Sequence, residues 1–259
     1  MSVNEVRQIG FSGTFECLPE FDLFDSKEAQ RSLFMNFFNS QVKKEFRFSK
    51  VEIMKYKKYH IRDIFINKIN ALLNVNFTPS QSNNIFYLDK KLTNTINSFI
   101  NSTNNNPTLS PKTNRAFTNE IKVAFNLILM CFDGVKFQLK LDANKLFSEF
   151  VYSKIKRVNQ DKVTSKCDNC IDIISKEKQT TTKVFTYWQF LNKQELNIEK
   201  AVSHAVETVK TTEFNQIYLV YPKHDKFNKH IQIRSRELEM SDMAYNIKLI
   251  PYSLRSILR

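Results

Sequence analysis

Glycine is nearly missing. The 259 residues hold three, Gly10, Gly13 and Gly134. Loops that cradle phosphate need glycine, because its backbone tolerates positive φ and lets a ligand come close. The chain has no Walker A loop and no Gly-x-Gly-x-x-Gly fingerprint. P-loop NTPases and Rossmann dehydrogenases are excluded on that ground. Long apolar runs are missing too. The longest, in AFNLILMCF, is broken by Asn126 and falls short of the ~20 residues that a membrane span needs. Residues 1–10 are polar and do not read as an export signal, so a cytoplasmic location without a membrane partner is expected. Cysteine is sparse at four residues, and all four are expected as reduced thiols. No Ser/His/Asp arrangement or nucleophile elbow can be read.

What is present is aromatic and basic. With 23 Phe, 9 Tyr and 42% hydrophobic residues, the chain can bury one large core or two modest ones. Lys and Arg number 39 against 26 Asp and Glu, a net charge of +13. Such an excess points to an anionic partner, nucleic acid and DNA first, an anionic membrane surface second. The bland alternative is charge that only aids solubility. The 26 asparagines and many lysines also suggest an AT-rich coding bias, which discounts the charge argument.

Along the chain, Ser26 is expected to cap a helix running to about Glu45, with Leu33, Phe34, Phe37, Phe38 and Val42 on its apolar side. A basic stretch follows (Lys43, Lys44, Arg47, Lys50, Lys55, Lys57, Lys58, Arg62, Lys68), interleaved with Phe46, Phe48, Tyr56 and Tyr59. Alternation in EFRFSKVEI predicts a strand, and IRDIFINKINALL predicts a helix. Residues 79–84 (PSQSNN) read as a loop and 88–100 as a helix. The polar, proline-punctuated run 101–112 reads as the main linker. It divides the chain into a basic, mainly helical N-terminal region (1–106) and an α/β domain (107–259). That domain opens with a helix over 114–132, closed by a turn at Asp133-Gly134.

The last 120 residues carry an informative order. An amphipathic helix over 142–157 precedes two short strands, CIDIIS and KVFTYWQF. A helix over 198–210 and the strand QIYLVYP follow, giving α-β-β-α-β. The run LFSEFVYSKIKR (146–157) resembles the helix that opens the nuclease domain of McrC-type restriction subunits, which tends to read Leu-Phe-Glu, spacer, aromatic, Val. Here Ser148 stands in place of the acid, with Glu149 after it. QIYLVYPK (216–223) resembles the Leu-Val-Tyr-Pro strand of the same family, and TNRAFTNEIKVAFNLIL fits its preceding helix. The resemblance covers residues 114–259. It implies a restriction-endonuclease-like mixed central sheet flanked by helices.

Nucleases of that fold hold Mg²⁺ with two carboxylates and place a lysine beside them to activate water and offset phosphorane charge. By the resemblance, Asp172 stands for the first acid. The neighbouring strand should then carry acid-x-Lys, and by position it reads Tyr187-Trp188-Gln189. A degenerate nuclease core is therefore expected, acting in nucleic-acid binding or complex assembly within a microbial defence system or mobile element. The resemblance also implies a protein partner, an NTPase subunit. Two alternatives stand beside it. One is an active Mg²⁺-dependent nuclease with a migrated centre of Asp172, Glu149 and Lys183. The other is a non-enzymatic replication or transposition factor that binds DNA through residues 43–68.

Expected phosphate contacts are Lys43, Lys44, Arg47, Lys55, Lys57 and Lys58 in the N-terminal region. Lys154, Lys156, Arg157, Lys226, Lys229, Arg234 and Arg236 extend them into the second half. An ordinary solvated face is the competing reading. Cys167 and Cys170, in a CxxC, can supply zinc ligands together with His224 and His230, although 54 residues separate the pairs. His60 and His204 are isolated.

Overall fold

The computed structural model describes residues 8–18, 26–73, 80–82, 85–87, 94, 119–131, 137–160, 162–167, 170–175, 180–189, 191, 198–240 and 244–254. A six-stranded mixed sheet organises the second half. Its strands are β6 (Val163–Cys167), β7 (Cys170–Ser175), β8 (Thr180–Thr186), β9 (Gln216–Pro222), β10 (Ile231–Ile233) and β11 (Asn246–Tyr252). The spatial order is β10-β11-β9-β8-β7-β6. The β6–β7–β8 run is an antiparallel meander, whereas β8, β9 and β11 pair in parallel. Ahead of it, β1 (Gln8–Ser12) lies between β2 (Phe15–Cys17) and β5 (Gln138–Asp142) in an antiparallel three-stranded sheet.

Helices cover both faces of the large sheet. α1 (Lys27–Gln41) begins where the Ser26 hydroxyl accepts from the Ala29 amide at 3.2 Å. It buries Leu33, Phe34, Phe37 and Phe38, as its sequence spacing requires. α3 (Ile61–Leu73) and α4 (Asn119–Met130) pack against each other nearby. α5 (Ala143–Val158) starts directly from β5, with the Asp142 carboxylate accepting from the Asn144 amide at 2.8 Å and the Lys145 amide at 3.2 Å. Ile171, Val184 and Val220 face α5 and join one core with Phe37, Phe147 and Val151. The opposite face, with Cys170, Phe185 and Leu219, packs on Ala201, Ala205 and Val209 of α6 (Glu199–Thr211). The short α7 (Arg236–Glu239) closes that second core with Leu238. The α5-side core draws on both halves of the chain, since α1 packs on α5 and β1 pairs with β5.

Several expectations change. EFRFSKVEI is not a strand: it forms a 3-10 turn at Lys44–Phe46 and then α2 (Lys50–Tyr56). The reason is local. Ser49 accepts from the Glu52 amide and the Glu52 carboxylate accepts from the Ser49 amide, a reciprocal capping box that starts a helix. Ser49→Ala is expected to cost about 1 kcal/mol of stability; an unchanged urea midpoint would contradict this account of the helix start. Within the stretch read as the 79–84 loop, residues 80–82 form β3 (Ser80–Ser82), which pairs with β4 (Ile85–Tyr87). A strand that was not expected, β6, makes the second-half order α-β-β-β-α-β. The segment YNIKLIPYSLRSIL, expected to hold a strand and then a short helix, forms β11; Ser253 and Leu254 after it are not helical, and residues 255–259 lie outside the described residues. The expected helix over 88–100, apart from Asn94, the linker 101–112 and the Asp133-Gly134 turn lie outside the described residues.

Candidate functional site

The residues with chemical potential gather on the α6 side of the β6–β7–β8 meander. Antiparallel register sets Cys167 opposite Cys170, Ser165 opposite Asp172, and Asp172 opposite Lys183. Side chains alternate faces along a strand, so Cys170 and Asp172 share one face while Ile171 and Ile173 turn to α5. Lys183 Nζ donates to Asp172 Oδ1 at 2.7 Å and lies 3.8 Å from Cys170 Sγ. The Phe214 ring covers the same ammonium, 4.4 Å from its centroid. Two members of the expected migrated centre, Asp172 and Lys183, are thus brought together.

The third is not brought to them. Glu149 lies on α5, on the other side of the sheet, and its carboxylate accepts from Lys166 Nζ of β6. Lys166 pairs with Ile171, which places both on the α5 face. The segment KVFTYWQF, expected as one strand, is only partly one. β8 starts earlier, at Thr180, and ends at Thr186. Lys183, not a residue of 187–189, stands opposite Asp172, and Thr181 lies two residues before it. Tyr187 follows the strand and stacks on Tyr221, centroids 5.0 Å apart. Burial pushes the Tyr187 hydroxyl up to about 12. Trp188 is buried in the α5-side core, and its amide donates to Asn144 Oδ1 at 2.8 Å.

The cysteines also depart from expectation. Cys167 and Cys170 are joined as a disulfide at the end of the β6–β7 hairpin, where the register holds their Cα atoms 5.1 Å apart. Cys17 and Cys131 are thiols, and burial raises the Cys131 thiol. His224 and His230 do not join the cysteines. The strand residue in line with Cys170 is Leu219, through Phe185, and His224 lies beyond the end of β9. His224 is buried beside Phe227, while His230 is exposed. The metal-capable group that the described residues form is Cys167, Cys170 and Asp172.

The expected phosphate contacts fall in three groups. Lys43, Lys44, Arg47, Lys55 and Lys58 are exposed around the α1–α2 connection, and Lys57 there lies 3.9 Å from Glu28. Lys68, of the same basic stretch, is buried and donates to Arg47 O and Glu52. Lys154, Lys156 and Arg157 occupy the end of α5, where burial and then Arg157 hold the Lys154 ammonium below its usual range. Lys226, Lys229, Arg234 and Arg236 are exposed around edge strand β10. A cleft of about 470 Å³ opens under the end of α5, between Ile155 and Tyr218. It contains neither Asp172 nor Lys183. Among the described residues no helix is long and apolar enough to cross a membrane.

Helix, three-stranded meander, helix and parallel strand together define an α/β protein with a six-stranded mixed sheet flanked by helices. No family model matches the sequence, and no curated protein matches it. The fold is similar to a chain in the solved half-complex from the tetradecameric assembly of Thermococcus gammatolerans McrB AAA+ hexamers with bound McrC. That similarity has a TM-score of 0.59 at 10% sequence identity, over 97% of this chain and 78% of that one.

Proposed function

We propose that the chain is a nucleic-acid-associated subunit of a McrBC-like defence or mobile-element assembly, with a restriction-endonuclease-like core that has lost catalysis. The observation that carries the loss is the register at Lys183. A nuclease of this fold keeps its second acid two residues before its lysine. With Lys183 opposite Asp172, that position is Thr181. A threonine hydroxyl is neutral and a poor exchange for a hard anionic Mg²⁺ ligand. Among the described strand residues of the β6–β7–β8 meander Asp172 is the one carboxylate, and it is held by Lys183. Mg²⁺ belongs to the rival active-nuclease reading, which needs Glu149; Glu149 is engaged by Lys166 across the sheet.

The partner half of the proposal rests on the fold likeness to the McrB–McrC half-complex and on the absence of an NTPase loop in this sequence. We infer an AAA+ NTPase subunit as that partner. We place the division between a basic N-terminal region and the nuclease-like domain at 106/107. The exposed cations at the α1–α2 connection and at the end of α5 are the surfaces inferred to track phosphate.

A fluorescence-anisotropy titration of duplex DNA against salt tests the binding half. The expected result is that log K falls linearly with log salt, and that Lys154→Ala, Lys156→Ala and Arg157→Ala together lower the slope by about 0.9 per lost contact. Absence of binding at low salt would sink it. Affinity-purification from the native host, read by mass spectrometry, is expected to return an NTPase subunit; a chain recovered alone contradicts the assembly half.

A further inference from the structure

We propose that Cys167, Cys170 and Asp172 form a zinc-binding site at the end of the β6–β7 hairpin, loaded when the Cys167–Cys170 disulfide is reduced. The inference is independent of the nuclease reading, which concerns Mg²⁺ and the lost acid. Its basis is geometric. One ligand atom from each of the three side chains lies within 4.8 Å of the other two. The register holds them there: the two cysteines are directly opposed, and Asp172 is two residues along β7 on the same face. Tetrahedral zinc, with Zn–S about 2.3 Å and Zn–O about 2.0 Å, sets its ligand atoms roughly 3.5–3.8 Å apart; the Asp172 oxygen lies within reach, and the two sulphurs part by side-chain rotation once the bond between them is reduced. Cys167 is exposed, so the fourth position opens to water or to a group from a partner.

The ligand chemistry selects the metal. Two thiolates favour a borderline-soft cation such as zinc over Mg²⁺, which prefers oxygen alone. Electrostatics favour it as well. Two thiolates and a carboxylate on a divalent cation leave one net negative charge. Lys183 is already in place to balance it, 2.7 Å from Asp172 Oδ1 and 3.8 Å from Cys170 Sγ. It can keep Oδ1 while Oδ2 turns to the metal, acting as the outer partner that orients a ligating carboxylate. The cation–π contact with Phe214 fixes the ammonium independently of Asp172.

The redox step balances through a dithiol reductant. Two electrons and two protons pass to the cysteine sulphurs as the S–S bond breaks, and the reductant's own sulphurs join. Zinc then displaces both thiol protons to solvent as two metal–sulphur bonds form. Hairpin chemistry thus has two states, a covalent clasp and a metal clasp, at the same place on the sheet edge.

Cobalt substitution tests the site. The full chain is reduced with a phosphine, the phosphine removed, and Co²⁺ titrated before and after Zn²⁺. The expected result is a thiolate-to-cobalt charge-transfer band that saturates at one equivalent and is displaced by zinc. Asp172→Asn is expected to keep the band and weaken the metal roughly 10-fold or more. The double variant Cys167→Ser/Cys170→Ser, checked for native circular dichroism, is expected to lose the band, and so is the oxidised wild type. No band in reduced wild-type protein would overturn the proposal. A band that survives in the double variant, and so arises at Cys17 or Cys131, or unchanged affinity in Asp172→Asn, would overturn it too.

Discussion

Trp188→Ala is expected to cost about 3–5 kcal/mol of stability, the range for emptying a large aromatic site in a packed core. Trp188 is the single tryptophan of the chain. Its ring meets Phe37 of α1 edge-on, centroids 5.4 Å apart, and Phe147 of α5 at 5.5 Å. Its amide donates to the Asn144 side chain in the first turn of α5. One residue therefore ties the end of β8 to helices from both halves of the chain. Removing the ring leaves a void between α1 and α5, and their neighbours cannot close it without moving a helix. Urea denaturation followed by circular dichroism measures the loss, because the variant has no tryptophan to follow by fluorescence. A cost below ~1 kcal/mol, the range of an ordinary surface change, would contradict this packing role.

Gly10→Ala is expected to be as damaging, for a backbone reason. Gly10 has φ +143°, a region that side chains rarely adopt. An added Cβ would sit 1.8 Å from the Leu139 carbonyl oxygen, a backbone atom of the paired strand. Gly10 pairs with Cys17 on one side and Lys140 on the other, so the whole three-stranded sheet must shift to make room. Asp142, which caps α5, ends that same strand β5. Strain of ~1–3 kcal/mol for the φ alone, with the steric term added, gives an expected total of roughly 3 kcal/mol or more. At about 2–4 °C per kcal/mol for a chain of this size, the melting temperature should fall by at least ~6 °C. A fall of less than ~2 °C would show that the close approach of β1 and β5 is relaxed.

Local signals were legible wherever one face and one cap decided the element. The Ser26 cap announced α1, the amphipathic pattern of 142–157 announced α5, and QIYLVYP coincides with β9. Long-range pairing was not legible. Nothing in QIGFS points to QLKLD more than 120 residues later, yet these strands pair along their full length. β6 (VTSKC) escaped notice because it is an edge strand, half exposed and largely polar. EFRFSKVEI alternates like a strand, but the Ser49–Glu52 capping box outweighs that pattern.

The candidate site divides in the same way. Asp172, Lys183 and the CxxC were visible as residue types. That Lys183 stands opposite Asp172 depends on the register of β8, whose polar start, TTTK, gave no apolar alternation to count from. The sheet itself separates Glu149, on α5, from Asp172, and the β6–β7 register gathers both cysteines beside Asp172.

We propose a restriction-endonuclease-like core that lacks its second acid. End-labelled duplex DNA incubated with the protein and Mg²⁺ or Mn²⁺, then resolved on a denaturing gel, tests it most directly. The account predicts intact strands under conditions where the protein binds. Divalent-dependent cleavage that Asp172→Ala abolishes would contradict it.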